Sequence, residues 1–292
     1  MKTLVQTALT VLASGLVLAC GDGAACDSCN GAGGGGGAPE GGASSDGWTK
    51  IITGDWELAA YDEHTKEVHV VTLDRDLYVG AIRPIAPPGT HHMILALGEG
   101  SKFLYASGVG TNPLEFPPGV GFKLDAGQTL VLQLHVFNPT EEPLSGTSGI
   151  EFREVSPEDV VNVAEVFLPG PTTLKIEPNQ TTTQSGTCTL DAAQTIFAVQ
   201  PHMHQLGKHL TTTLNIAGVD SVLIDGDYEF GHQEVTRFEP ISMNAGDTIT
   251  TACTWDNTTS SEVSWGESST AEMCLSILFR YPALGGTGLC EN

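Results

Sequence analysis

The stretch Thr129-Leu130-Val131-Leu132-Gln133-Leu134-His135-Val136-Phe137 decides the fold. Successive side chains of a strand point to opposite faces, so Leu130, Leu132, Leu134 and Val136 form one unbroken apolar face. Gln133 and His135 share the other face, where a core strand rarely carries two polar residues. Short Val-, Ile-, Leu- and Thr-rich runs recur at 68–73, 78–82, 93–97, 196–199, 210–216, 248–254 and 274–279, separated by Pro, Gly, Asn and Asp. Helical periodicity is nearly absent, so these runs predict many short strands. The expectation is an all-β chain of two consecutive antiparallel β-sandwiches, jelly-roll-like, over residues 48–157 and 158–292.

Composition excludes several functions. The 292 residues hold 35 Asp plus Glu against 12 Lys plus Arg, a formal charge of −23. Such a chain repels phosphate backbones, so a nucleic-acid partner is not expected. With 40% hydrophobic and 16% charged residues, most of it should fold.

Met1-Lys2 precedes an apolar or small run from 4 to 19, the layout of a secretory signal peptide over 1–19. The run is too short for a good membrane span. Val17-Leu18-Ala19-Cys20 resembles a bacterial lipobox, which implies lipidation of Cys20. The expected product is an exported, membrane-anchored bacterial lipoprotein facing the periplasm or the cell exterior, touching the membrane through its lipid only. Residues 20–47 read as a Gly-rich tether with a reach of roughly 30 Å. With Cys20 lipidated, Cys26, Cys29, Cys188, Cys253, Cys274 and Cys290 remain, an even set that suggests disulfides outside the cytosol. Cys26 and Cys29 have redox-motif spacing but lie in a linker, so a local disulfide or an inert thiol pair fits better. The last four all fall in the C-terminal half.

Five of the nine histidines lie in three clusters. His135 stands on the polar face of the strand quoted above. His202 and His204 in Gln200-Pro201-His202-Met203-His204 share a face if the segment is extended, where two imidazoles can converge on one ion. Pro201 suggests a strand edge or start there. His91 and His92 follow the turn Ala86-Pro87-Pro88-Gly89-Thr90; adjacent residues can bind one metal only at an irregular strand entry, which that turn supplies. Each cluster has a plain structural alternative, such as a solvent-facing or hydrogen-bonded histidine. Together, in an exported chain, they point to a metal. Imidazole suits zinc, copper, iron or nickel, and a thioether such as Met273 selects Cu(I), although Met273 also suits a core. His64, His69, His209 and His232 read as ordinary.

At these residues the chain resembles the copper type II, ascorbate-dependent monooxygenases, the family of dopamine β-monooxygenase and the peptide-amidating hydroxylase. Six stretches follow the family order: Gly89-Thr-His-His-Met-Ile-Leu95, Phe116-Pro-Pro-Gly-Val-Gly-Phe122, Val131-Leu-Gln-Leu-His135, Pro201-His-Met-His-Gln-Leu-Gly-Lys208, Thr251-Ala-Cys-Thr254 and Glu272-Met-Cys274. The resemblance implies two coppers per chain, one on each sandwich, facing a solvent-filled cleft. His91, His92 and His135 would hold the electron-storing copper, with Gln133 beside it. His202, His204 and Met273 would hold the copper where O2 reacts and would be the catalytic set. It also implies the disulfides Cys253–Cys274 and Cys188–Cys290. Where the peptide-amidating branch has an arginine, an asparagine and a tyrosine to hold its peptide, this chain has Gln200, Leu275 and Ile277, which argues against a glycine-extended peptide. The expected function is ascorbate-dependent hydroxylation of a C–H bond in a small substrate by a monomer. The alternative is a non-catalytic extracytoplasmic copper-binding lipoprotein. A zinc or iron cupin-like enzyme fits less well, since no acidic ligand accompanies His202 and His204. A blue-copper carrier is disfavoured because Cys253 and Cys274 should be oxidised.

Overall fold

The computed structural model describes residues 46–98, 102–108, 110–266, 268, 270–285 and 288–290. The expected signal peptide at 1–19, Cys20, the Cys26 and Cys29 pair and all but the last two residues of the 20–47 tether lie outside them. Among the described residues, helix is confined to one 3-10 turn, Pro157–Asp159, and no helix is long and apolar enough to cross a membrane. The fold is all-β and of sandwich type, as the alternation at Thr129–Phe137 predicts.

Before the 3-10 turn two sheets face each other. One runs in the order Trp48–Leu58, Leu144–Glu154, Leu77–Ile85, Val120–Leu124, Asn162–Val163, with Leu114–Glu115 paired at its side. The other runs Glu63–Thr72, Thr129–Phe137, Thr90–Leu97, Lys102–Gly108. After it come two larger sheets and a two-stranded one that pairs Lys175–Ile176 with Val263–Ser264. The first has the order Thr236–Met243, Gln194–His202, Leu275–Tyr281, Glu165–Pro169, Leu289–Cys290; the second Gln180–Thr189, Thr248–Asn257, Gly207–Ile216, Val219–Asp227. The chain leaves the first sheet only at Val163, which pairs in parallel with Gly121.

The expected apolar face is the one buried: Leu130, Leu132, Leu134 and Val136 pack against Ile52, Trp56, Val79, Ile150 and Phe152 of the opposing sheet. Each such side chain contributes about 1.5–3 kcal/mol on burial. The same core runs on into the C-terminal half through Val166, Phe197, Ala198, Leu275, Ile277 and Phe279. Phe116, Phe122, Phe197 and Phe279 form one aromatic cluster across that junction, with Phe116 4.8 Å from Phe122 and 5.3 Å from Phe197. Behind it a second core fills the C-terminal sandwich, where Phe167, Ile196, Val199 and Leu278 meet Cys188, Leu214 and Ile249.

Both C-terminal disulfides form. Cys188 bonds Cys290 and Cys253 bonds Cys274, with Cα atoms 5.6 and 5.8 Å apart. Two disulfides in one chain fit an oxidising compartment.

Candidate metal centre

Register explains the first cluster. His92 lies directly opposite His135 on neighbouring antiparallel strands, so both side chains emerge on one face. The pairing slips between Thr90 and His92, and this irregular entry turns His91 to the same side. The turn is held from below. Gly89 has φ +99, and a Cβ there would lie 2.5 Å from the Trp56 ring. Thr90 Oγ1 lies 2.7 Å from Ser148 Oγ, which accepts the Trp56 indole N–H at 2.7 Å.

The three rings converge on their Nδ1 atoms. His91 and His135 each bring Nδ1 to 3.2 Å from His92 Nδ1, and candidate donor atoms of all three lie within 4.8 Å of one another. Imidazole nitrogens bound about 2.0–2.1 Å from one ion stand roughly 3 Å apart, so the set fits a single imidazole-preferring metal. Glu63 Oε1 accepts the Nε2–H of His135 at 2.5 Å, which leaves Nδ1 as a lone-pair donor. Burial pushes His92 down to about 3, helped by the neighbouring imidazoles, and lowers His91 for the same two reasons. A neutral imidazole is the form that binds a metal.

The second cluster sits where the strand Gln194–His202 ends. That strand has neighbours on both sides, but the Thr236–Met243 partner stops pairing at Val199, so Pro201 sits where the strand is paired with Leu275–Tyr281 alone, the edge-like position a proline tolerates. Met203 is fully buried in the core, and His202 and His204 flank it on the opposite side, their ring centroids 5.2 Å apart. Here the outward nitrogens are the other pair. His202 Nδ1 donates to Gln233 Oε1 at 3.0 Å and His204 Nδ1 donates to the Ala271 carbonyl at 3.0 Å. Both Nε2 atoms therefore keep their lone pairs. Burial, then the neighbouring His204, pushes His202 down to about 4.

Glu272 fastens this corner. Its Oε2 accepts the His204 amide and the Trp255 indole, each at 2.9 Å, and its Oε1 accepts the Leu206 amide at 2.7 Å. Burial raises its carboxyl, against the pull of the Leu206 and His204 amides. Met273 follows directly, half-buried against the shared core, while Cys274 points the other way into the disulfide core. Met273 lies in the segment just before the strand Leu275–Tyr281. Gln133 is half-buried two residues before His135.

The two clusters face each other across one ring. Phe230 lies 5.6 Å from His91, 6.3 Å from His92 and 6.3 Å from His204, centroid to centroid. The solvent-filled cleft implied by the resemblance is occupied at this point by a side chain. Gln200, Leu275 and Ile277 are buried in the junction between the halves. His64, His209 and His232 bond carboxylates at the surface, and His69 packs over Gly54; none joins a cluster. Glu63, Phe230, Gln233 and the role of Glu272 are the features that sequence reasoning missed.

An all-β sandwich that sets a convergent Nδ1 triad opposite a pair of imidazoles with free Nε2 atoms has the donor set of an imidazole-bound metal centre. Comparison with known proteins then places it. Residues 162–291 match the family model "Copper type II ascorbate-dependent monooxygenase, C-terminal domain". Human DBH-like monooxygenase protein 1 is 30% identical over 207 residues, covering 63% of this chain and 34% of that protein. Tyramine beta-hydroxylase of Caenorhabditis briggsae is 26% identical over 201 residues, with the same two coverages. The chain spans about a third of the length of these relatives. Over residues 162–291 the chain is similar to the copper type II ascorbate-dependent monooxygenases. Among solved structures, the major capsid protein P2 of bacteriophage PM2 has a TM-score of 0.35 at 8% identity, over 80% of this chain and 98% of that one.

Proposed function

We propose that this chain is an ascorbate-dependent, two-copper monooxygenase that hydroxylates a C–H bond of a small organic substrate. The observation that carries the proposal is the opposite choice of ring nitrogen in the two clusters, Nδ1 inward in the triad and Nε2 free in the pair. His91, His92 and His135 would hold one copper, and His202, His204 and Met273 the other. Two one-electron metals would supply the two electrons that, with two protons, turn O2 and a C–H bond into an alcohol and water, and ascorbate would replace them.

The protein's own part is positional. Glu63 holds the His135 tautomer, and Gln233 and the Ala271 carbonyl hold those of His202 and His204. Glu272 pins the backbone of the pair. Phe230 excludes water between the clusters and keeps them close. The thioether of Met273 is a soft donor that would favour the reduced state of a copper held with His202 and His204. In this reading Cys20 carries the lipid of an exported monomer, and its partners are O2, ascorbate and the substrate.

The test uses the full chain loaded with copper, ascorbate and 18O2, against a panel of small phenolic, amine and aliphatic substrates. The proposal expects one 18O atom in the product. Met273→Ile should abolish hydroxylation while the triad keeps its copper. Ascorbate oxidation without 18O incorporation into any substrate would favour a copper-binding protein without turnover.

A further inference from the structure

The segment from Glu229 to Gln233 touches both clusters and belongs to neither. Its shape is local. The His232 amide donates to the Glu229 carbonyl at 3.0 Å, and Gln233 Nε2 donates to the Phe230 carbonyl at 3.0 Å. This closed turn projects the Phe230 ring away from the segment. Tyr228, next to it, is anchored by its hydroxyl to the Met203 carbonyl at 2.6 Å, between the two histidines of the pair.

Gln233 is buried and makes three further connections outside its own turn. Its Oε1 accepts the His202 ring N–H. Its backbone carbonyl accepts Thr111 Oγ1 at 2.9 Å and Gln200 Nε2 at 3.1 Å. Thr111 Oγ1 in turn accepts the Gly108 amide at 2.8 Å, and Gly108 is the residue paired with His92. Gln200 Nε2 also reaches the Ala106 carbonyl on the same strand, at 3.4 Å. A hydrogen-bonded path thus runs from the strand beside His92, through Thr111 and Gln233, to the ring of His202. Phe230 makes the apolar contact alongside it.

We propose that the turn from Glu229 to Gln233 is an intersite latch: Phe230 sets the spacing between the two metal sites, and the Thr111–Gln233–His202 bonds hold that spacing. Phe230, Gln233 and Thr111 act as positioning residues, through the histidines. The proposal rests on the two-copper reading for its purpose. Its geometry is a property of the metal-free chain, where it is tested separately. The shared apolar core holds the two halves together, and the latch sets the fine spacing of the clusters at its edge, so its loss should shift the clusters while each half keeps its own fold.

The experiment has two arms on the full chain. The first is copper stoichiometry with low-temperature EPR of the Cu(II)-loaded protein, reading the dipolar broadening between the two ions. The wild type should bind two coppers and show strong broadening. Phe230→Ala and Thr111→Val should still bind two coppers and lose most of it, a result that a merely stabilising role does not produce. Gln233→Leu should behave likewise, whereas Gln233→Glu, which keeps an acceptor for His202, should restore the broadening. Two coppers with unchanged broadening in Phe230→Ala and Thr111→Val overturns the latch. The second arm is amide hydrogen exchange of the metal-free chain. Lys102–Gly108 should exchange roughly fivefold faster in Thr111→Val than in the wild type. Unchanged exchange there overturns the latch even if the wild type binds fewer than two coppers, an outcome that by itself removes only the two-copper reading.

Discussion

Glu272→Ala is the perturbation whose size follows most directly from the structure. The carboxylate accepts three N–H donors at once: the amides of His204 and Leu206 and the indole of Trp255. Both Glu272 and Trp255 are fully buried, so none of the three has water as a ready substitute. A buried donor left without an acceptor costs about 1–3 kcal/mol. Three of them, partly relieved by water entering the space left by the side chain, give a loss of about 3–5 kcal/mol. At about 2–4 °C per kcal/mol for a chain of this size, the thermal midpoint should fall by roughly 10 °C. Glu272→Gln keeps one oxygen for His204 and Trp255 and turns its amide N–H toward the Leu206 amide, so it should cost about 1–3 kcal/mol. The assay is urea unfolding of the metal-free chain, followed by copper titration of each variant. The alanine variant should retain copper at the triad and lose it at the pair, because His204 loses its backbone anchor. An alanine variant within about 1 kcal/mol of wild type, or one that loses triad copper first, would refute the reasoning.

His92 and His202 titrate in the fold at about 3 and about 4, below the 6.5 of a free imidazole, chiefly through burial. The unfolded chain then binds protons that the folded chain refuses. Stability of the metal-free protein is full above pH 6.5 and falls as the pH drops toward 4, by up to about 1.4 kcal/mol per pH unit for each ring. Urea midpoints between pH 7 and 4.5 should show this slope, and His202→Gln should roughly halve it; a flat wild-type profile contradicts the assignment. Glu63→Ala removes the acceptor that orients His135 and should weaken copper at the triad about 10- to 100-fold, with the pair unchanged; equal affinity by competitive titration would dismiss Glu63. The disulfides close loops whose ends are 102 and 21 residues apart, and the chain-entropy model assigns them about 5 and about 3 kcal/mol. Reduction should therefore speed hydrogen exchange in the strands after residue 163 far more than in those before it. Equal acceleration in both halves would oppose that division.

The fold and the five clustered histidines were legible for a physical reason. A period of two forces side chains to alternate, so the run at Thr129–Phe137 announces a buried face and a polar one without any tertiary information. The Pro87-Pro88-Gly89 turn likewise announces an irregular entry, and the slip between Thr90 and His92 is that irregularity. Other features depend on register and contacts that no local pattern encodes. Glu63 reaches His135 because its strand pairs with Thr129–Phe137 across 72 residues of sequence. Phe230 and Gln233 lie in a segment with neither helical nor strand period, and their roles appear only when the two halves pack. Glu272 was visible within a motif, but its three donors come from three separate segments. The place of the Phe230 ring between the clusters was not legible, because an aromatic in a loop gives no sign of which surface it will cover.

Copper content tests the central claim most directly. The full chain, loaded with Cu(II) and freed of loosely held metal, should retain two coppers per chain. His135→Ala and His204→Ala should each retain one. X-ray absorption after ascorbate reduction should show a sulfur scatterer in wild type and His135→Ala but none in Met273→Ile. A wild type holding one copper or none, or a sulfur signal that persists in Met273→Ile, would contradict the account.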